Sequence, residues 1–312
     1  MGETGETVRI GISACLLGRE VRYDGGHKRD AFLTESLAPH VQWVPFCPEL
    51  EVGMGVPRPP LRLAGDPAHP RLLTRTGADW TEPMERHARE RARALHHVHG
   101  AVFKKDSPSC GLFRVKIHPE VGPPARGGTG LFAAAFVAAN PLVPAEEEGR
   151  LNDPALRENF VERVFAYRRL HALLEQPMRI DRWMAFHAAH KYQLLAHSTV
   201  AYRELGRLVA QGGETLPAAY AWGFLRALAA PAPRQRHVNV LQHVLGHFKR
   251  QLSPGDKAEA LGLVDDYRRG LVPLVVPLTL VQHFLRLHPD EWLAAQTYLA
   301  PYPRELMLRN AV

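Results

Sequence analysis

Over residues 8–104, three short apolar runs suited to β-strands alternate with stretches suited to helices, and this alternation constrains the fold most strongly. The runs are residues 8–13, 41–46 and 101–104. Residues 30–39, between the first two, are helix-compatible. Before the third, residues 80–98 place Met84, Ala88, Ala92 and Leu95 at spacings of four and three, the stripe of an amphipathic helix. Strands separated by helical crossovers build a parallel sheet, so the expectation is an α/β N-terminal domain with a mainly parallel sheet. In such sheets ligands bind beyond the carboxyl ends of the strands.

The composition then changes. Residues 1–140 are rich in Gly and Pro, whereas residues 151–312 are rich in Leu, Ala, Arg and His with helical periodicity. Helices are expected at 154–175, 181–210, 235–252, 256–270 and 289–299, an all-α C-terminal helical domain. The stretch 140–149, with Pro141, Pro144 and the acids Glu146, Glu147 and Glu148, reads as the boundary, giving domains of 1–145 and 151–312. Charge is uneven too: residues 1–150 hold 19 Lys and Arg against 18 Asp and Glu, and residues 151–312 hold 20 against 14, so +6 of the net +7 lies in the second part. That part is a candidate for contact with a polyanion, or simply a basic helical surface.

The chain has three cysteines, Cys15, Cys47 and Cys110, each beyond a strand candidate and each in a polar turn. The odd count and the absence of an export signal at Met1 to Glu6 argue against a disulfide framework. The apolar run 271–285 is interrupted by Pro273 and Pro277, and 131–139 is too short to span a bilayer, so the expectation is a cytoplasmic protein with no membrane partner. Three thiols at one sheet edge suit a metal. No Cys-x-x-Cys pair of the usual zinc kind is present. An iron-sulfur cluster held by three thiolates would keep one iron open, and buried core cysteines are the plain alternative.

Polar neighbours share these turns. Glu49, two residues after Cys47, is placed to take a proton from water, or else to cap the turn or pair with an Arg. Ser107 and Ser109 flank Cys110 on its N-terminal side, and Lys104 is placed to offset cluster or phosphate charge. Tyr23 is suited to stacking on a pyrimidine and Asp24 to accepting from its ring N–H, with a plain β-turn as the alternative. The glycine-rich stretch 122–130 suits a lid or a phosphate site at the following helix N-terminus, but lacks the Lys of a Walker loop. In the second part His187, His190 and His197 share a helical face and His243 and His247 stand four apart, more suited to packing or caps than to a metal.

These motifs carry a resemblance. Ser13-Ala14-Cys15-Leu16-Leu17-Gly18, Arg22-Tyr23-Asp24-Gly25, Cys47-Pro48-Glu49, the stretch from Lys104 to Gly111, and Gly130-Leu131-Phe132-Ala133 resemble the thiouracil desulfurase family over residues 8 to about 140. The second part, with Phe186-His187-Ala188-Ala189-His190-Lys191-Tyr192 and Pro301-Tyr302-Pro303, is similar to the helical domain often fused to it, and the pair resembles the bacterial tRNA 4-thiouridine desulfidases. The resemblance implies a [4Fe-4S] cluster on Cys15, Cys47 and Cys110 with one open iron for the substrate sulfur. It further implies Glu49 and Ser107 as catalytic groups, and Tyr23, Asp24, Ser109 and Lys104 as substrate contacts. The implied partner is tRNA or a thiolated pyrimidine. Two other readings stand beside it: an enzyme for the free thiobase, and a non-enzymatic iron-sulfur sensor that binds nucleic acid.

Overall fold

The structure is a computed structural model that describes residues 7–311. The N-terminal acidic stretch, Met1 to Glu6, which argued against an export signal, lies outside these residues. The chain divides between Asn152 and Asp153 into two compact units.

In chain order the first unit comprises β1 (Arg9–Ser13), β2 (Gln42–Phe46), the single turn α1 (Pro48–Glu51), β3 (Leu61–Ala64) and β4 (Arg71–Thr74). It continues through α2 (Thr81–Ala94), β5 (Gly100–Phe103), β6 (Val115–His118), β7 (Ala125–Gly128), α3 (Leu131–Ala139) and β8 (Ala145–Glu147). One sheet, in the order β2-β1-β5-β8, is parallel throughout. Its three strand candidates and the helix between the second and third stand where the sequence pattern puts them. Met84, Ala88, Ala92 and Leu95 are fully buried, as their spacing requires. The helix-compatible stretch after β1 forms a π-turn, Phe32–Leu37, running into a 3-10 turn, Ala38–His40. Phe46, Phe103, Phe132 and Phe136 meet with ring centroids 4.9–6.2 Å apart and lock α3 against the sheet.

A second sheet, β4-β3-β6-β7, was not foreshadowed by the apolar runs because its strands are only four residues long. Leu63, Leu72, Val115 and Ile117 of this sheet pack with Met84 of α2, which buries one face. The acid run differs most from expectation. It does not separate the units: Ala145–Glu147 is the edge strand of the parallel sheet, and Glu146, Glu147 and Glu148 are buried. Each has partners there. Glu146 holds Arg150 at 2.7 Å, Glu147 accepts from the N–H groups of Leu112 and Phe113, and Glu148 accepts from the N–H of Lys105 at 2.7 Å. Burial of paired acids, rather than solvation of free ones, explains why a hydropathy reading takes this strand for a linker.

The second unit is mostly helical: α4 (Pro154–Leu174), α5 (Ile180–Ala189), α6 (Lys191–His197), α7 (Thr199–Gln211), α8 (Leu216–Ala227), α9 (Arg234–His247), α10 (Pro254–Arg269), α11 (Val275–Leu287) and α12 (Glu291–Ala294). The stretch expected as one helix over 181–210 is three, broken at His190 and at Ser198, whose hydroxyl caps α7 by accepting from the Ala201 N–H. Helices α8 and α11, which were not among the expected helices, carry Pro217 and Pro277 within their first turns, where a missing N–H costs little. No helix among the described residues is long and apolar enough to cross a membrane.

Candidate active site

Parallel pairing fixes the site. Because β1, β2, β5 and β8 run the same way, their carboxyl ends, Ser13, Phe46, Phe103 and Glu147, lie along one edge. Cys15 follows in a 3-10 turn closed by Gly18 at φ 87°, a left-handed conformation that glycine adopts without strain. Cys47 stands immediately before α1, its N–H donating to Glu51 at 3.0 Å. Cys110 sits in the turn after β5. There the Ser107 oxygen accepts from the N–H groups of Ser109 and Cys110, and the Gly111 N–H donates to the Ser107 carbonyl at 2.8 Å.

This turn is seated on α3. The N–H groups of Leu131 and Phe132 donate to the carbonyls of Pro108 and Ser109, so the helix N-terminus binds the Cys110 turn and is not an anion site. Nor is the glycine-rich stretch a lid: residues 125–128 form β7, paired with β6. Gly130 is obligatory at the contact, since a Cβ there would lie 2.5–2.8 Å from the backbone of Ser109 and Cys110.

All three cysteines line one cavity of about 370 Å3, together with Tyr23, Glu49, Arg58, Lys104 and Ser107. The thiols sense one another. Burial pushes Cys15 up to about 11, against the pull of Lys104, and raises Cys47; burial drives Cys110 well above the ordinary thiol value, with Glu49 and the other two cysteines adding to it. Buried thiols that repel each other's ionised form suit a site completed by a cation. Among the described residues no three or more His, Cys, Asp or Glu side chains gather closely enough to hold a single metal ion. The cavity lining includes neither histidine nor a further cysteine. Three thiols spread over one cavity fit an iron-sulfur cluster in donor type.

Glu49 has partners on both oxygens. Arg58 donates its Nε to Oε2 at 2.8 Å and places Nη2 2.7 Å from the same oxygen, while the Ser109 hydroxyl donates to Oε1 at 2.9 Å. Arg58 is itself anchored by the carbonyls of Gly55 and Val21. An Arg partner for Glu49 is among the expectations from the sequence, but the particular arginine is not; its place between Pro57 and Pro59 was the signal available. Ser109 is fully buried and absent from the cavity wall, so it touches Glu49 where a substrate contact was expected. Ser107 lines the cavity while fixing the Cys110 turn. Lys104 lines it with its ammonium 2.5 Å from Glu148.

Tyr23 faces the cavity at 42% exposure, with the Arg22 guanidinium 5.4 Å from its ring centre. Asp24 does not line the cavity. It accepts from the Gly26 N–H at 3.1 Å and lies 3.4 Å from Arg22, the plain turn residue. Ser13, which the sequence shows only as a member of the Cys15 motif, is buried, accepts from the Lys104 N–H at 3.0 Å, and its hydrogen bond to Cys110 favours the thiolate. In the second unit, His187 meets the Tyr220 hydroxyl, His190 bonds the Phe186 carbonyl, and His197 pairs with Glu162, which are packing roles.

Residues 10–148, which include all three cysteines and Glu49, match the family model of 2-thiouracil desulfurase. The chain belongs to the 2-thiouracil desulfurase family. Its second unit matches, over residues 191–303, a family of proteins of unknown function, DUF1722. Among curated relatives, the chain is 35% identical over 154 residues to the uncharacterized protein YbgA of Escherichia coli K12, which spans 48% of this chain and 91% of YbgA. It is 32% identical over 150 residues to the uncharacterized protein YbbK of Bacillus subtilis 168, or 46% of this chain and 97% of YbbK. Of solved structures, it is similar to a [4Fe-4S]-dependent thiouracil desulfidase, TudS, at 29% identity and a TM-score of 0.40, covering 48% of this chain and 97% of that one.

Proposed function

We propose that this desulfurase-family chain is an iron-sulfur desulfidase that converts 4-thiouridine in tRNA to uridine and releases sulfide. The observation that carries the reading is the convergence of Cys15, Cys47 and Cys110 on one cavity that Glu49 also lines. Cys15, Cys47 and Cys110 would hold a [4Fe-4S] cluster, and an iron left open by three thiolates would supply a thiophilic Lewis acid to polarise a carbon–sulfur bond.

The chain's own groups do the rest. Tyr23, at the cavity mouth, stacks on the pyrimidine. Glu49 takes a proton from the water that attacks the ring carbon, and passes it to the departing sulfur. Arg58 and Ser109 are positioning residues: Arg58 holds Oε2 and the Ser109 hydroxyl holds Oε1, which fixes the plane of a carboxylate that lines the cavity. Water is consumed and hydrogen sulfide leaves, so no electron donor enters the balance.

RNA as the carrier of the base is supported by the +6 balance of the second part of the chain. A base stacked in folded RNA has to be turned out to reach such a cavity. Free thiouracil as substrate is the second reading, favoured by membership of the 2-thiouracil desulfurase family. Sulfide release from thiolated tRNA, free thionucleoside and free thiobase, measured side by side, separates them. Preference for tRNA supports the proposal, and equal rates on all three sink the RNA arm.

A further inference from the structure

Beside the cysteine cavity lies a second depression of about 290 Å3, and the two share Leu61, Asp106 and Pro108 in their walls. Its floor is the outer face of the second sheet. Leu63 and Ile117, paired in register, point to the buried side. Side chains alternate along a strand, so Arg62 and Lys116, one residue earlier on each, point outward. Lys116 in turn pairs with Arg126 across the β6–β7 ladder. Arg62, Lys116 and Arg126 therefore form a row across three neighbouring strands, with His118 on the same face.

Three features mark this row as built for an anion. Adjacent strands lie about 4.8 Å apart, and like charges side by side at that spacing destabilise a sheet. All three cations are exposed, and no side-chain hydrogen bond or ion pair joins any of them to another described residue. Two other surface arginines of this unit do have acid partners, Arg71 in Asp79 and Arg29 in Glu35. The acid in the wall, Asp106, stands at the junction with the cysteine cavity.

We infer that the Arg62–Lys116–Arg126 row binds consecutive phosphates of the RNA strand that carries the thiolated base, and so delivers that base to the cysteine cavity. This rests on the desulfidase reading for its consequence in turnover, but not for RNA binding itself. A row of cations on an open sheet tracks a backbone without reading sequence. It also assigns part of the RNA contact to the first unit, whereas the charge count points only to the second.

The test is the triple variant Arg62→Gln/Lys116→Gln/Arg126→Gln in the full chain, with two readouts. In fluorescence anisotropy with unmodified tRNA, the log–log salt slope should shrink by roughly 0.7 per charge removed, about 2 in all. In sulfide release, KM for thiolated tRNA should rise at least tenfold, while KM for the phosphate-free thiobase moves less than twofold. Because the substitution relieves like-charge repulsion, the thermal midpoint should be unchanged or higher, which reports that the variant is folded. An unchanged salt slope and tRNA KM overturn the inference. So does heparin or polyglutamate binding through this row as tightly as RNA, which marks a general polyanion surface. If the native chain releases sulfide from nothing yet loses RNA affinity in the triple variant, the phosphate row stands and the desulfidase reading falls.

Discussion

Arg58 reaches Glu49 with two nitrogens on the same carboxylate oxygen, Nε at 2.8 Å and Nη2 at 2.7 Å, and is itself almost fully buried. This pairing turns a flexible glutamate into a fixed group at the cavity wall. Replacing Arg58 by Ala leaves Glu49 held only by the Ser109 hydroxyl, and removing one partner of such a buried pair costs about 3–5 kcal/mol. Arg58→Lys keeps the charge but not the fork. The expectation is a fall in kcat of at least tenfold for Arg58→Lys, with iron content retained. A kcat within twofold of native would show that the orientation of Glu49 does not matter.

Glu49 itself is expected to act in proton transfer, which typically contributes about 10²–10⁴ in rate. Glu49→Gln should therefore lower kcat by about that factor at unchanged iron and labile sulfide per chain. Loss of iron in this variant would instead make Glu49 a structural part of the cysteine site.

Gly130 supports Cys110 from outside the cavity. A methyl group there would stand 2.5 Å from the Ser109 carbonyl carbon and 2.8 Å from the Cys110 nitrogen, and backbone cannot yield as a side chain does. Gly130→Ala should displace the Cys110 turn, lower the iron content and cost about 1–3 kcal/mol. Gly127, where a methyl group would meet nothing within 4 Å, is the control and should tolerate Ala.

How much of this was legible beforehand differs by element. The parallel sheet followed from apolar runs with amphipathic α2 between them, and the cysteines were visible as residues beyond strand ends. The second sheet was hidden because a four-residue strand such as Val115–His118 gives only two buried side chains, Val115 and Ile117, too few to show a period. Arg58, Ser13 and Glu148 act through contacts 9 to 91 residues away in sequence. No local pattern encodes such partners. Asp24 and Ser109 show the converse: motif membership placed them near the cavity, and geometry gave one to a turn and the other to Glu49.

The helical unit should have its own pH profile. Burial alone would raise the Glu162 carboxyl, but His197 at 3.0 Å and the Gln193 amide outweigh it and hold Glu162 down at about 2. Burial alone would lower His197, and Glu162 instead raises it. A depressed carboxyl stabilises above its ordinary value near 4.3, and this is lost as pH falls toward 2; a raised His stabilises below its ordinary value near 6.5, and this is lost as pH climbs through the raised one. The thermal midpoint of the helical transition should thus peak between about pH 4.5 and 6.5 and drop on both sides. His197→Ala should cost about 3–5 kcal/mol by leaving Glu162 buried without its hydrogen-bonded ion-pair partner. A profile flat from pH 3 to 8 would contradict the pairing.

Whether Cys15, Cys47 and Cys110 hold a cluster is decided by iron and acid-labile sulfide analysis of the full chain after anaerobic reconstitution, with Cys15→Ala, Cys47→Ala and Cys110→Ala alongside. About four irons and four sulfides per native chain are expected, the content of one cubane cluster, with loss of both in each variant. One zinc per chain with no labile sulfide, or native iron content in any single cysteine variant, would rule the three-thiolate cluster out.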